Sequence, residues 1–408
     1  MTDFPGVFTH PAGELSNGAV LDIGLKCPHS CAFCYYSFLD GGTDQFAGLR
    51  KASLRSTADC LEIVRLLAEN GLTHLDITGG EPTTHPGLAD IVRAASGLGL
   101  GVRVITLGQF LLRKHAGGTL LEALLGAGLT DLLFSLHAAN PDSFRAICGG
   151  SLENVLAALD RLDERGFQYG SNTVITEKNL LQLPDIARLA AGRGVYTANF
   201  IAFNAYHAWR GQDQAKLLQT SYAAIRPRLE EAVGILAAAN AAVNIRYVPL
   251  CAFPKLARHV VGVLGVPYDP YEWRNRCLNH DREPAYCAEP LPIPASGVRD
   301  IFAFTPLDET LQGGTRVCGM RGDRFKFFPA QCADCPAKSA CDGVDPTYLA
   351  RYGADEFQPL DRPTQGPLLA ARLAYLPPHL VKMRPEADMR GAIGHGANGR
   401  DAALAARD

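Results

Sequence analysis

The sequence predicts an α/β protein whose parallel sheet is wound, or closed into a full or partial barrel. Short β-rich runs alternate with amphipathic stretches over the first half of the 408 residues. Such alternation implies parallel strands joined by right-handed crossovers. Several amphipathic stretches also end at a Gly, which suits the C-terminus of a helix. In folds of this class the chemistry lies beyond the C-terminal ends of the strands.

The predicted elements follow one another in regular order. We predict strands at residues 20–25, 74–78, 101–106, 131–137, 169–176 and 198–203. The helices predicted between them cover residues 57–70, 86–98, 119–127, 152–165 and 183–193. In the helix at 152–165, Leu152, Val155 and Leu159 share one apolar stripe, and Ser151 is a typical N-cap. A longer helix and a further strand complete the regular part, at residues 221–239 and 243–249.

The composition is that of a globular protein. Hydrophobic residues make up 47% and charged residues 20%, which excludes a wholly disordered or fibrous chain. The net charge of −3 argues against electrostatically driven binding of nucleic acid. No apolar stretch is long enough to span a bilayer, and the N-terminus lacks the pattern of a secretory signal. We therefore expect a soluble, cytoplasmic protein with neither nucleic-acid nor membrane partners.

Composition also divides the chain into four parts. An N-terminal extension at residues 1–17 precedes the regular part, which we place at 18–244. Residues 245–362 contain many prolines and no strand–helix repeat, so we expect a smaller, irregular domain there. Residues 363–408 are rich in Ala, Arg, Gly and Pro, and we expect them to form a flexible tail.

Cysteine is the most informative residue type. The chain has 12 cysteines, and without a secretory signal they are poor candidates for disulfides, because reducing conditions keep them as thiols. We interpret Cys60 and Cys148 as buried, inert thiols. Two tight groups instead indicate metal centres, namely Cys27, Cys31 and Cys34, and Cys332, Cys335 and Cys341.

The first cysteine group lies where the first predicted strand ends. The Gly79-Gly80-Glu81-Pro82 motif follows the second predicted strand, and Ser135 and His137 end the fourth. We therefore expect all of them to converge on one rim of the sheet. Three thiolates on a four-iron cluster leave one iron open for a further ligand. A structural zinc is the alternative, and it requires a distant fourth ligand.

The cysteine spacing resembles the signature of a known family. Cys27-x3-Cys31-x2-Cys34, with the aromatic Phe33 before the last cysteine, is similar to the motif of the radical S-adenosylmethionine (SAM) superfamily. Gly79-Gly80-Glu81-Pro82 resembles the motif by which that superfamily binds the amino group of SAM. The resemblance covers about residues 18–250 and implies a partial (β/α)6, TIM-like barrel. It also implies a [4Fe–4S] cluster on the three cysteines, with SAM chelating the open iron.

The same resemblance implies a reaction and further binding residues. An electron donor such as a flavodoxin or ferredoxin would drive reductive cleavage of SAM, and the resulting 5′-deoxyadenosyl radical would abstract hydrogen from the substrate. Phe33 would pack near the adenine, and Glu81 with its flanking backbone would accept the methionine ammonium. Three more positions match SAM contacts of the superfamily, namely Ser135, Asn172 and Ile201. For Ser135 and Asn172 the alternative is that they are ordinary polar residues at strand ends. The third strand ends in Thr106-Leu-Gly where some relatives have Thr-Asn-Gly, which leaves a SAM role for Thr106 in doubt.

The second group, Cys332-x2-Cys335-x5-Cys341, is similar to the central part of SPASM and related twitch extensions, which hold auxiliary iron–sulfur clusters. A full SPASM pattern would place another cysteine where Asp345 stands, so one auxiliary [4Fe–4S] cluster is the better interpretation. Structural zinc is again the alternative. As the fourth ligand we favour Cys251, and the alternatives are an iron left open for substrate or one of Cys318, Cys277 and Cys287.

These features favour a radical SAM enzyme that abstracts hydrogen from a small biosynthetic molecule, in a dehydrogenation, epimerisation, deoxygenation or rearrangement. Only 26 residues precede Cys27, too few for a cobalamin-binding or peptide-recognition domain in front of the barrel. Modification of a ribosomally made peptide is the first alternative. A non-catalytic iron–sulfur or zinc sensor is the second, although a sensor has no need of an ammonium-binding motif. The polar candidates for the substrate pocket are His137, Asn140, Asn199, Asn204, Tyr206 and His207.

Overall fold

The computed structural model describes part of the chain. The described residues are 18–34, 36–38, 41–69, 74–205, 209, 212–261, 328–333, 335, 341 and 343–360. The expected N-terminal extension at 1–17 and tail at 363–408 lie outside them, as do Tyr206, His207, Cys277, Cys287 and Cys318. None of the helices in the described part combines the length and apolar character needed to cross a membrane.

The described strands form one parallel sheet and one small hairpin. The strands are β1 (Gly18–Asp22), β2 (His74–Thr78), β3 (Gly101–Thr106), β4 (Lys114–His115), β5 (Gly118–Thr119), β6 (Asp131–Ser135), β7 (Tyr169–Ile175), β8 (Thr197–Ala202), β9 (Ala242–Arg246) and β10 (Val260–Val261). The sheet has the order β1-β2-β3-β6-β7-β8-β9-β10, and each of its neighbouring pairs is parallel. β4 and β5 make the antiparallel hairpin.

α-Helices separate the successive strands of the sheet as far as β9, and a further described helix follows β10 in the chain. They are α1 (Ala47–Lys51), α2 (Thr57–Glu69), α3 (Leu88–Gly97), α4 (Leu120–Gly126), α5 (Pro141–Cys148), α6 (Leu152–Asp163), α7 (Leu183–Gly192), α8 (Asp213–Leu218), α9 (Tyr222–Ala238) and α10 (Pro346–Tyr352). The strands follow the chain order across the sheet, and β1 and β10 are its two outer strands. The predicted α/β architecture, an open and therefore partial barrel, is confirmed.

Each helix that the sequence predicts is present, and four described helices were not predicted, namely α1, α5, α8 and α10. In α6, the side chain of Ser151 caps the first turn by accepting from Asn154 N at 3.2 Å, and the predicted apolar stripe is buried. α5 was not predicted, although Asn140-Pro141 is a good N-terminal signal, since Asn140 accepts from Ser143 N and Pro stands at the first helical position.

The sheet continues beyond the boundary expected at residue 244. β9 pairs with β8, and β10 pairs with β9, so residues up to Val261 contribute to the same sheet. Between these two strands the chain turns through Cys251 in a short 3-10 helix, Leu250–Ala252. This turn brings the second cysteine region to the end of the sheet that also carries the first.

Candidate functional site

The loop that follows β1 carries Cys27, Cys31 and Cys34, and all three are partly buried. The end of α5 holds this loop, because Ser30 N donates to Cys148 O at 3.1 Å and Ala32 N to Ile147 O at 2.8 Å. The indole of Trp209 donates to Cys34 O at 2.8 Å. The unpredicted helix α5 therefore fixes the position of the cysteine loop.

The three thiols share a buried environment close to one carboxylate. Burial, with the negative charge of Cys31 adding to it, raises the pKa of Cys34 to about 12. Burial is also the main cause that raises the pKa of Cys27, and Glu81, Cys31 and Cys34 add to the effect. The pKa of Cys31 is raised by its hydrogen bond with Cys148 and by burial. Thiolates in such a place need a bound cation, so the donor set fits a metal cluster.

The Gly79-Gly80-Glu81-Pro82 motif packs directly on the cysteine loop. Gly80 N donates to Gly24 O at 2.8 Å, and Glu81 N donates to Lys26 O at 3.2 Å. A Cβ atom on Gly80 would lie 2.4 Å from Leu25 O, closer than any side chain permits. The glycines are therefore required for contact between the two loops.

Glu81 is buried, and its carboxylate receives several hydrogen bonds. Oε1 accepts from Thr83 N at 3.0 Å and from Thr106 Oγ1 at 2.6 Å. Oε2 accepts from Leu107 N at 3.0 Å and lies 4.0 Å from His29 Nε2. A carboxylate oxygen has two lone pairs, so Oε2 can accept a further donor. Thr106, whose role the sequence left in doubt, orients Glu81.

His29 lies inside the cysteine motif, and as the one nearby histidine it is the residue that a zinc site there could recruit. Its side chain is 6% exposed, its ring stacks on Phe110 at 5.7 Å between centroids, and its Nε2 has no hydrogen-bond partner among the described residues. Burial lowers its pKa, against the opposing effect of Glu81. Its position in the cysteine motif, between Cys27 and Cys31, was the signal available in the sequence.

Phe33 and His137 contact each other between the cysteine loop and the sheet. Phe33 is buried, and its ring meets that of His137 edge to face, 4.5 Å between centroids. Val174 N donates to Nδ1 of His137 at 3.1 Å, so the proton of the neutral ring is on Nε2. Burial lowers the pKa of His137 to about 3, which keeps this imidazole neutral at neutral pH.

Ser135, Asn172 and Ile201 lie on three adjacent strands, Ser135 and Ile201 near the C-terminal ends of theirs and Asn172 in the middle of β7. Ser135 on β6 pairs in register with Asn172 on β7, and all three side chains are half-buried. Ile201 on β8 is the register partner of Val174 and of Arg246. These positions form one band of the sheet, the band that His137 and Phe33 adjoin.

The remaining pocket candidates have different surroundings. Asn199 on β8 is buried between Asn172 and Asn244, to which its amide is hydrogen-bonded. Asn204 is buried and donates to Tyr247 O at 3.3 Å. Asn140 is exposed, caps α5 and donates to Gln182. A helix cap uses its side-chain oxygen on the backbone, which leaves little for a ligand.

The second cysteine group and Cys251 line one open pocket with a largely apolar wall. Its four cysteines are Cys251, Cys332, Cys335 and Cys341, with Phe328, Val344 and Phe357 among the apolar residues of the wall. Burial raises the pKa of Cys251 to about 12, and the nearby Cys341, Cys332 and Cys335 add to this effect. Four thiols around an apolar pocket fit the ligand set of an iron–sulfur cluster.

Asp345 stands apart from this ligand set. It is fully buried and forms the N-cap of α10, where its Oδ1 accepts from Thr347 N at 2.8 Å. Within the described residues, no three His, Cys, Asp or Glu side chains are arranged to hold a single metal ion. The thiolates of a four-iron cluster bind different iron atoms and need not converge on one point.

Comparison with known proteins finds one family model that matches the region containing the first site. The model of the radical SAM superfamily matches residues 21–190. The PqqA peptide cyclase of Methylorubrum populi is 26% identical over 229 residues, which cover 55% of this chain and 54% of that relative. The PqqA peptide cyclase of Ruegeria pomeroyi is 28% identical over 218 residues, 53% of each chain. The chain thus spans about half the length of these curated relatives.

A solved structure is also similar to the chain. It is Streptococcus suis SuiB bound to the precursor peptide SuiA, with a TM-score of 0.47 and 17% identity. The similarity covers 60% of this chain and 52% of that one.

Proposed function

Since the chain carries a radical SAM domain over residues 21–190, we propose that it is an enzyme that modifies a ribosomally made precursor peptide. One observation carries the assignment to radical chemistry. The cysteine loop and the Gly79-Gly80-Glu81-Pro82 motif are joined by hydrogen bonds at the same end of the sheet. A metal centre that binds no further ligand does not require a buried carboxylate beside its thiols. A ligand with an ammonium group does, because the carboxylate can accept its hydrogen bonds and balance its charge.

The residues of the first site divide into cluster ligands and SAM contacts. Cys27, Cys31 and Cys34 would hold a [4Fe–4S] cluster. When bound, the cluster and SAM together supply a carbon-centred radical that removes a hydrogen atom from the substrate. Contacts to SAM are assigned to Phe33, the Gly79-Gly80-Glu81-Pro82 motif, Ser135, Asn172 and Ile201.

The protein contributes binding, orientation and exclusion of water. Hydrogen bonds from Thr106 and Leu107 already orient the carboxylate of Glu81. Little reorganisation is therefore needed when Oε2 accepts an ammonium donor. Phe33 and His137 are both buried and contact each other, and His137 follows Ser135 by two residues. A dry site of this kind protects a reactive carbon species from solvent.

A peptide is a better-supported substrate than the small molecule expected from the sequence. Two curated relatives of the chain are named for their action on the peptide PqqA. The aligned regions are 26% and 28% identical and cover about half of each protein. Similarity at this level supports a class of substrate and not one particular peptide sequence. We therefore assign a ribosomally made peptide as the substrate class.

The second cysteine group is proposed to hold an auxiliary [4Fe–4S] cluster. Cys251 joins Cys332, Cys335 and Cys341 in lining one pocket, which supports it as the fourth ligand. The group sits on the part of the chain that follows β9, next to the end of the sheet where the first site lies. A cluster here would form part of the wall on the substrate side.

The substrate class is tested with peptides encoded by short reading frames beside the gene. The anaerobically reconstituted protein is incubated with SAM, dithionite and each synthetic peptide. We expect one peptide to raise 5′-deoxyadenosine formation and to change in mass by the hydrogens it loses. The scrambled version of the same peptide serves as the control. A protein that cleaves SAM while leaving every such peptide unchanged, and that instead modifies a small metabolite, would contradict the peptide assignment.

A further inference from the structure

Three asparagine side chains form a hydrogen-bonded row across β7, β8 and β9. Asn244 Nδ2 donates to Asn199 Oδ1 at 2.7 Å, and Asn199 Nδ2 donates to Asn172 Oδ1 at 2.8 Å. The three residues are direct register partners, so their side chains meet without any distortion of the sheet. Asn244 is 0% exposed and Asn199 is 2% exposed, whereas Asn172 is half-buried. The row therefore runs from the interior to its most accessible member, Asn172.

The row has a direction, and the direction fixes how Asn172 is presented. A primary amide has an accepting oxygen on one side and a donating NH2 group on the other. The oxygen of Asn172 is turned toward Asn199, so its NH2 group faces away from β8. On that side β6 carries Ser135, the register partner of Asn172, and two residues further on lies His137, which contacts Phe33 of the cysteine loop. Asn172 thus offers a donor to the first site.

We propose that Asn199 and Asn244 are positioning residues that hold Asn172 with its NH2 group toward bound SAM. The inference rests on the proposed function, in which Asn172 contacts SAM. An isolated amide can rotate and present either its oxygen or its nitrogen. Asn199 is buried and already donates its NH2 group to Asn172, so Asn172 must present its oxygen to Asn199. Reversing either amide alone would place two oxygens or two NH2 groups against each other. The group that Asn172 binds is an acceptor of SAM, either the carboxylate of its methionine half or a ribose hydroxyl.

Asn199→Asp is the substitution that reverses the polarity of the row. An ionised carboxylate only accepts hydrogen bonds, so it would accept from both neighbours and turn the NH2 group of Asn172 inward. The oxygen of Asn172 would then face SAM. We expect the dissociation constant for SAM to rise about tenfold or more, the effect of losing one hydrogen bond to a polar or charged ligand group. Binding is measured with reconstituted protein and no reductant, so SAM is not consumed.

The pH dependence of this loss separates orientation from mere disturbance. A protonated carboxyl group can accept from Asn244 and donate to Asn172, which restores the original direction of the row. The introduced group is buried, and burial raises the pKa of a carboxyl group. The affinity of Asn199→Asp for SAM should therefore recover toward that of the wild type in mildly acidic buffer. Asn199→Ala has no proton to gain, and its affinity should keep a constant ratio to that of the wild type.

Two further variants complete the set. Thr197→Val is the matched control, because Thr197 is buried on the same strand two residues away and its hydroxyl has no hydrogen-bond partner among the described residues. It should bind SAM as the wild type does. Asn244→Asp acts on Asn172 through two hydrogen bonds and should reproduce the loss and its recovery in acid. Asn244→Asp replaces Asn199→Asp as the test if the latter does not fold, which circular dichroism and thermal unfolding would reveal.

The outcomes distinguish this inference from the proposed function. If the wild type binds SAM and the folded Asn199→Asp variant binds equally well, or loses the same affinity as Asn199→Ala at every pH, the positioning role is refuted and the proposed function stands. If the wild type itself does not bind SAM, the proposed function fails first. SAM analogues that lack the 2′ or 3′ hydroxyl identify the acceptor. The tenfold loss should disappear with one of them if Asn172 donates to the ribose, and persist with both if it donates to the carboxylate.

Discussion

The carboxylate of Glu81 is held by donors from three separate positions in the chain. Thr83 N lies in the same loop, whereas Thr106 Oγ1 and Leu107 N come from the end of β3. Because these donors are in place before any ligand binds, the negative charge is already located beside the cysteine loop. His29 Nε2 lies 4.0 Å from Oε2.

His137 gives a prediction at the scale of one residue. Its pKa is about 3 in the folded protein, because burial disfavours the charged ring, against 6.5 in the unfolded chain. Below about pH 6.5 the unfolded chain therefore binds a proton that the folded protein does not. The free energy of unfolding should fall as the pH decreases toward 3, by at most about 1.4 kcal/mol per pH unit from this residue.

Urea unfolding of the wild type and of His137→Gln at several pH values measures this effect. The glutamine oxygen can still accept from Val174 N, and it does not titrate. The variant should lose stability less steeply between pH 6.5 and 3. The pKa values of His29 and His85 are also lowered by burial, so part of the slope should remain. Equal slopes in the two proteins would show that His137 is not held neutral.

Between elements, the decisive contact is that of the Gly79-Gly80-Glu81-Pro82 loop with the cysteine loop. The two loops follow the adjacent parallel strands β2 and β1 and therefore leave the sheet side by side. Backbone hydrogen bonds join them only because Gly80 has no side chain to separate them. The cysteine loop is held from its other side by the end of α5.

Gly80→Ala tests this contact. The new Cβ would lie 2.4 Å from Leu25 O and 2.5 Å from Lys26 O, and backbone atoms cannot turn aside as a flexible side chain would. We expect destabilisation of about 1–3 kcal/mol, typical of an overpacked site, together with a loss of bound iron. The matched control is Gly234→Ala in α9, where nothing lies within 4 Å of the new atom. That control should gain up to about 1 kcal/mol from helix propensity. Wild-type stability and iron content in Gly80→Ala would contradict the close packing of the loops.

At the scale of the whole molecule, the parallel sheet gathers residues that are far apart in sequence. Their strand-end positions could be predicted, because periodicity locates the strands and parallel strands bring their C-terminal ends to one rim. Helix α5 was missed although Asn140-Pro141 indicates its start, and Asn140 was assigned to the pocket instead. The hydrogen bonds of Thr106 to Glu81 and of Asn244 to Asn199 depend on strand register. Register is not encoded in the local pattern of either strand, so these partners could not be predicted.

At the second cysteine group, too, only part of the site could be predicted from the sequence. The spacing of Cys332, Cys335 and Cys341 indicates a metal centre, but their partner Cys251 is about eighty residues away in sequence. Its choice rested on its place after a strand, and the pocket it shares with the other three supports that choice. Asp345, which interrupts the full SPASM pattern, has a structural role as the N-cap of α10.

The central claim is that Cys27, Cys31 and Cys34 hold the cluster that cleaves SAM, while the second group holds another that does not. The most direct measurement is iron content together with 5′-deoxyadenosine formation, in anaerobically reconstituted protein given SAM and dithionite. The wild type should carry about eight irons, as two four-iron clusters, and form 5′-deoxyadenosine. Changing Cys27, Cys31 and Cys34 together to Ala should remove about half of the iron and abolish that product. Cys335→Ala should also lose iron yet still cleave SAM, and Cys60→Ala, at a buried cysteine on α2, should match the wild type. Formation of 5′-deoxyadenosine by the triple variant would contradict the account.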